Sequence, residues 1–165
     1  MTRSVLRAEL RPEQVIAIVD TREQLPVCLS PMRSEIGTLA TGDYGLKALP
    51  HVVAIERKSE TDFLACVGVE RERFDREVLR LLAYPVRAIV IESTWKRIEA
   101  GNWRSKVTSA AAMGSLVGWA AMGLPVFMVD THERAGQFIS RLLFIAARRR
   151  WRELRALAEV GKDAQ

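Results

Sequence analysis

The hydrophobic residues of this chain alternate between short β-branched runs and longer stretches with helical spacing. Val15–Asp20, VIAIVD, is an apolar run ending in an acid, as a buried strand does when its carboxyl end opens onto a site. Leu25–Arg33 contains Pro26 and Pro31 and reads as an irregular connection in which Cys28 packs inward, and Ile36–Thr41 then leads to Gly42. Asp43–Lys47 and Val52–Lys58 are separated by Ala48-Leu49-Pro50-His51. Pro50 has no place in a central strand, so a hairpin is expected. Ser59 then stands as the N-cap of a helix with Asp62 at N3. Glu70–Ala83 puts Phe74, Val78, Leu81 and Leu82 on one helical stripe, with its charges on the solvated faces. Arg87–Glu92, RAIVIE, is another buried strand, and Trp95–Trp103 is a short helix or loop. Val107–Val129 has no charged residue but is broken by Gly123-Leu124-Pro125. It divides into a helix, Thr108–Met122, and a strand, Pro125–Val129, and is no membrane span. Glu133–Ala158 is a long helix with apolar Phe138, Leu142, Ile145 and Leu154. Strands followed by alternating helix, strand and helix fit an α/β fold around a mixed sheet.

The hairpin carries the chemistry. With four loop residues, Lys47 pairs with Val52, Gly45 with Ala54 and Asp43 with Glu56, and alternation puts Asp43, Glu56 and Lys58 on one face. Opposed residues have Cβ atoms roughly 4.5–5.5 Å apart, and like charges so placed are destabilising. Two carboxylates at that spacing call for a cation between them, with Lys58 beside it. A hard dication such as Mg²⁺ is held by one or two carboxylates and completed by water and phosphate oxygens. Such an ion activates water and polarises a phosphoryl group, the chemistry of a phosphodiesterase. An isolated E-x-K would read as a charged strand end; the second acid opposite and the buried run Val52–Ile55 favour a site. The register rests on the loop length, since a one-residue slip would turn Asp43 to the other face.

Composition adds a direction. The 165 residues are read as one domain with a core over about 14–158 and 48% hydrophobic residues. Net charge is +5 and the isoelectric point about 9.7, which favours an acidic partner such as nucleic acid. Cys28 and Cys66 have no metal-like spacing and fit a reducing compartment. Arg3, Arg7, Glu9 and Arg11 precede no apolar segment of the kind a signal peptide needs, so a cytoplasmic location is expected.

Gly42-Asp43 followed by Glu56-Arg57-Lys58-x-x-x-Asp62 resembles the G-D-(x)n-E-R-K-x-x-x-D signature of the XPF-type nuclease domain, a branch of the restriction-endonuclease-like superfamily. The resemblance runs from about Gln14 to the helix after Asp130. It implies a three-layer α/β fold, a central mixed β-sheet flanked by helices. It further implies a Mg²⁺- or Mn²⁺-dependent endonuclease acting on branched, flapped or forked DNA in repair or recombination. Asp20 and Glu23, in Asp20-Thr21-Arg22-Glu23, match the family's D-x-R-E element and would help hold the metal or its water shell. Asp43, Glu56 and the Arg57 carbonyl would bind the metal, Lys58 would position the water, and Asp62 would steady Arg57 or Lys58.

Arg22, Arg73, Arg104 and Lys106 are the candidate DNA contacts, Arg73 by its match to a family arginine and the last two by their setting among tryptophans. Arg148-Arg149-Arg150 with Trp151, Arg152 and Arg155 forms a basic patch that reads as a nucleic-acid contact or as a solvated helix end. Family members usually continue into a helix-hairpin-helix domain, and a single nuclease domain without one is the expectation here. That favours a compact prokaryotic or phage nuclease, nucleoid-associated and dimerising through its second half, where Ala110, Gly114 and Gly118 permit close approach. A catalytically silent DNA-binding subunit and a Holliday-junction-resolvase-like nuclease are the alternatives.

Overall fold

The apolar runs assemble into a six-stranded sheet in a computed structural model that describes residues 8–163. Arg3 and Arg7 lie outside the described residues. The strands are β1 (Ile16–Asp20), β2 (Arg33–Gly37), β3 (Tyr44–Leu46), β4 (Val53–Ser59), β5 (Val86–Glu92) and β6 (Val126–Met128). Their spatial order is β2-β1-β3-β4-β5-β6. The β2–β1 and β4–β5–β6 pairings are parallel, while β3 runs antiparallel to both β1 and β4. The helices are α1 (Glu60–Val67), α2 (Arg71–Leu82), α3 (Trp95–Ala100), α4 (Ser109–Ala121) and α5 (His132–Asp163).

Alternation along the strands divides the core into two layers. Ala17, Val19, Tyr44, Val53, Ile55 and Val90 meet Ala135, Ile139 and Leu143 of α5 on one side. Ala54, Ile89 and Ile91 meet Phe63 and Leu64 of α1, Phe74 and Val78 of α2, and Leu116 and Trp119 of α4 on the other. Trp119 packs against Phe63 and Phe74 in T-shaped arrangements, with ring centroids at 6.0 and 5.2 Å. This is the expected three-layer α/β arrangement around a mixed sheet.

Most elements fall where the pattern puts them. Ser59 caps α1 through the Asp62 N–H, and Thr108 caps α4 through the Ala111 N–H. No helix among the described residues is long and apolar enough to cross a membrane. Two readings need correction. The pattern marks no strand between the irregular Leu25–Arg33 and Gly42, yet Arg33–Gly37 is an edge strand, and its largely exposed residues give no strand rhythm. Cys28 does not pack inward; it is exposed, whereas Cys66 is buried.

Candidate active site

The expected hairpin register is found at Tyr44, which lies opposite Ile55. Regular pairing stops there, because the chain enters β3 through Gly42 at φ 79°. A Cβ at Gly42 would stand 2.9 Å from the Ile55 carbonyl oxygen, so both the backbone angle and the close approach require glycine. Past that bend the Asp43 N–H donates to the Ile55 carbonyl, and Asp43 Oδ2 accepts the Arg57 N–H at 2.8 Å. The Asp43 side chain thus replaces a strand's backbone acceptor and is pinned beside β4.

Glu56 and Lys58 project from β4 to the α2 side. Lys58 Nζ donates to Glu56 Oε1 at 2.5 Å and sits 5.4 Å from the centre of the Phe74 ring. Burial and the nearby Glu56 charge push the Asp43 pKa up to about 7. Burial raises that of Glu56 as well, against the pull of Lys58. For Lys58, burial favours the neutral amine, but Glu56 outweighs it and raises the pKa to about 12, so the ammonium persists at neutral pH. Glu77 on α2 adds to the negative field at Glu56, and its Oε1 lies 3.4 Å from the Gly42 N–H. Lys58 is the largely buried cation that Asp43 and Glu56 share, while the Arg80 partner of Glu77 and the exposed Arg22 act from the rim.

The intervening residue of β4 faces the opposite layer. Arg57 forks onto Glu23 with Nε at 2.9 Å and Nη2 at 2.8 Å, and its Nη1 reaches Glu92 at 2.7 Å. Glu92 also meets His132 Nδ1 at 2.8 Å, at the start of α5. Glu23 additionally accepts from the Leu25 N–H and the Tyr44 hydroxyl. Burial opposes its ionisation, yet Arg57 holds its pKa below the usual value. Asp20 is similarly occupied. It accepts from Arg22 N–H and Nε and from the Leu39 N–H, and these offset its burial and lower its pKa. Asp20 and Glu23, expected to help hold the metal or its water shell, thus each carry an arginine at the border of the site.

Asp62, expected to steady Arg57 or Lys58, lies in the first turn of α1. Its carboxylate meets the Ser59 hydroxyl at 2.6 Å, and among the described residues it reaches neither Arg57 nor Lys58. Arg73 pairs with Glu70 on the solvated face of α2. Arg22 is two-thirds exposed beside the site, with Nη2 on the Leu39 carbonyl. Arg104 and Lys106 are exposed on the segment before α4. Sequence reasoning missed Glu92, His132 and Glu77. Glu92 ends a buried strand, and that position was the available signal.

Among the described residues no group of three or more His, Cys, Asp or Glu side chains is gathered to hold a metal. The donors present are two hard oxygen groups whose mutual repulsion a dication would relieve. That set fits a Mg²⁺-type ion whose remaining positions go to water and phosphate oxygens.

The model of the ERCC4 domain family matches residues 17–142, which include every residue of this site. The chain belongs to the ERCC4 domain family. Its fold is similar to XPF from Aeropyrum pernix, with 19% identity, a TM-score of 0.66, and coverage of 89% of this chain and 69% of that one. The same protein in complex with DNA matches with a TM-score of 0.67 and 19% identity, over 83% of this chain and 66% of that one. No curated protein matches the chain. The expected family and the three-layer fold are thus both found, and membership of the ERCC4 domain family supports a DNA endonuclease.

Proposed function

We propose that this ERCC4 domain hydrolyses phosphodiester bonds of branched, flapped or forked DNA, with Mg²⁺ or Mn²⁺ as cofactor. The observation that carries this reading is the grouping of Asp43, Glu56 and Lys58, in which two carboxylates of raised pKa face one persistent ammonium. Asp43, Glu56 and the Arg57 carbonyl would hold the cation, which when bound supplies an acidified water and a polarised phosphoryl oxygen. Lys58, as an ammonium, is suited to orient the attacking water and offset charge growing on the phosphate. Asp20 and Glu23 keep Arg22 and Arg57 in place around these groups. The DNA-bound Aeropyrum pernix XPF and the net charge of +5 support DNA as partner.

The second half of the chain supports self-association. The α4 surface exposes Ala110, Gly114, Val117, Gly118, Ala121 and Met122, no charge among them, beside the edge strand β6. Light scattering at rising concentration should show a dimer; a monomer throughout removes that part.

The deciding experiment compares cleavage of end-labelled flap, splayed fork, four-way junction and plain duplex with Mg²⁺, Mn²⁺ or EDTA. Cleavage confined to the metal lanes and to branched DNA is expected. No cutting of any DNA with either metal would instead indicate a silent binding subunit.

A further inference from the structure

Directly after Lys58 the chain turns into α1, and one wall of a groove of ≈ 820 Å³ begins at Glu60. That size lies within the roughly 300–1,000 Å³ of clefts that enclose small organic groups. Its far wall is the segment from Trp103 to Thr108 and the first turn of α4. The floor is apolar, made by Leu64, Val67 and Val107, while Arg104 and Lys106 stand exposed at the rim. The far wall is held in shape by hydrogen bonds: Trp103 Nε1 donates to the Val107 carbonyl at 2.7 Å and the Val107 N–H to Ser105 Oγ at 3.2 Å. Glu60, the one acid lining the groove, is taken up by Arg97 and by the Ser93 hydroxyl at 2.8 Å, so it does not confront an anion.

We propose that this groove receives unpaired nucleotides of the DNA strand being cut, bases against the apolar floor and phosphates on Arg104 and Lys106. This rests on the nuclease reading and extends it to a stated part of the substrate. A duplex offers a protein mainly phosphates and groove edges, and an apolar cleft gains little from it. A single strand offers both faces of its chemistry, since every unpaired base has an apolar ring that stacks or buries while its phosphate meets a cation. An apolar floor, an aromatic wall and a cationic rim in one cleft, on the helix that begins two residues after the candidate catalytic lysine, match that pairing.

The test measures binding by fluorescence anisotropy in EDTA, where nothing is cut, on a blunt duplex and on the same duplex with an oligo-dT overhang. Two variants of the full chain are used: the pair Arg104→Gln and Lys106→Gln, and Ala111→Trp, which fills the groove from an exposed helical position. Each should weaken overhang binding roughly tenfold and leave blunt-duplex binding unchanged. The double glutamine variant should also reduce the slope of log affinity against log salt by about 1.4, that is ~0.7 for each single-strand phosphate no longer neutralised. A groove that takes a peptide would leave overhang binding intact in both variants. One that merely attracts duplex phosphates would show equal losses on both DNAs. Either result overturns the proposal. Failure of wild-type cleavage with any metal would sink the nuclease reading alone, because these affinities are read without metal.

Discussion

Two faces of one strand meet opposite electrostatic fates. On the α5 side of β4, Arg57 is buried with only 8% of its side chain exposed, yet Glu23, Glu92 and His132 give it a closed network. On the α2 side, Asp43 and Glu56 share the one ammonium of Lys58, and Glu77, itself paired with Arg80, adds to the negative field at Glu56. Buried charge is tolerated where geometry completes it and stays costly where it does not. A strand that alternates between the two can fix a site rigidly from behind while leaving its front short of one cation. The closed face explains how the open one keeps its shape; the open face explains why a dication would be welcome.

The sharpest way to break this contrast is to open the closed face. Arg57→Ala would strand Glu23 and Glu92 in the interior, and removing one partner of a buried pair costs about 3–5 kcal/mol. Urea denaturation should show that loss, and a change smaller than that of a surface ion pair would mean the network is not a brace. Lys58→Ala acts on the other face. It should fold and bind DNA, but turnover should fall about 10²–10³-fold, the usual effect of removing one electrostatic stabiliser. Cleavage at the wild-type rate would remove Lys58 from the chemistry.

Asp43 gives the contrast a pH dependence. Its pKa rises from 3.8 to about 7 on folding, so in that window the folded chain binds a proton that the unfolded chain has lost. The contribution of this group to stability is complete below about 3.8 and lost as pH rises towards about 7. Asp43→Asn should therefore stabilise the metal-free protein at pH 8, on the order of 1–3 kcal/mol, while weakening Mg²⁺ binding. Thermal melts with and without Mg²⁺ check both signs, and a less stable metal-free variant at pH 8 would contradict the strained front face.

The sequence made this division legible in part. Hairpin register and the alternation of Glu56, Arg57 and Lys58 were readable because a loop length and a period of two fix which side chains share a face. The order of strands and helices was readable from apolar rhythm. The brace was not, because Glu23, Arg57, Glu92 and His132 come from four separate elements, and only the fold brings them together. β2 escaped because an exposed edge strand needs no apolar face. The family signature located Asp62 without revealing what its carboxylate touches.

Asp62 therefore supplies the finest test of the contrast, since it follows β4 yet belongs to neither of its faces. Its carboxylate holds the Ser59 hydroxyl, while its N–H receives the cap from that same hydroxyl. Asp62→Ala keeps the cap, because the backbone donor remains, and loses only an acid in the first turn of α1, worth roughly 0.3–1 kcal/mol. Support for Arg57 or Lys58 would require an interaction that the described side chains do not make. We expect a small drop in melting temperature and cleavage close to wild type, whereas Ser59→Ala should lose about 1 kcal/mol through the missing cap. A large loss of cleavage in Asp62→Ala with its fold intact would place this carboxylate in the reaction and extend the open face past the end of the strand.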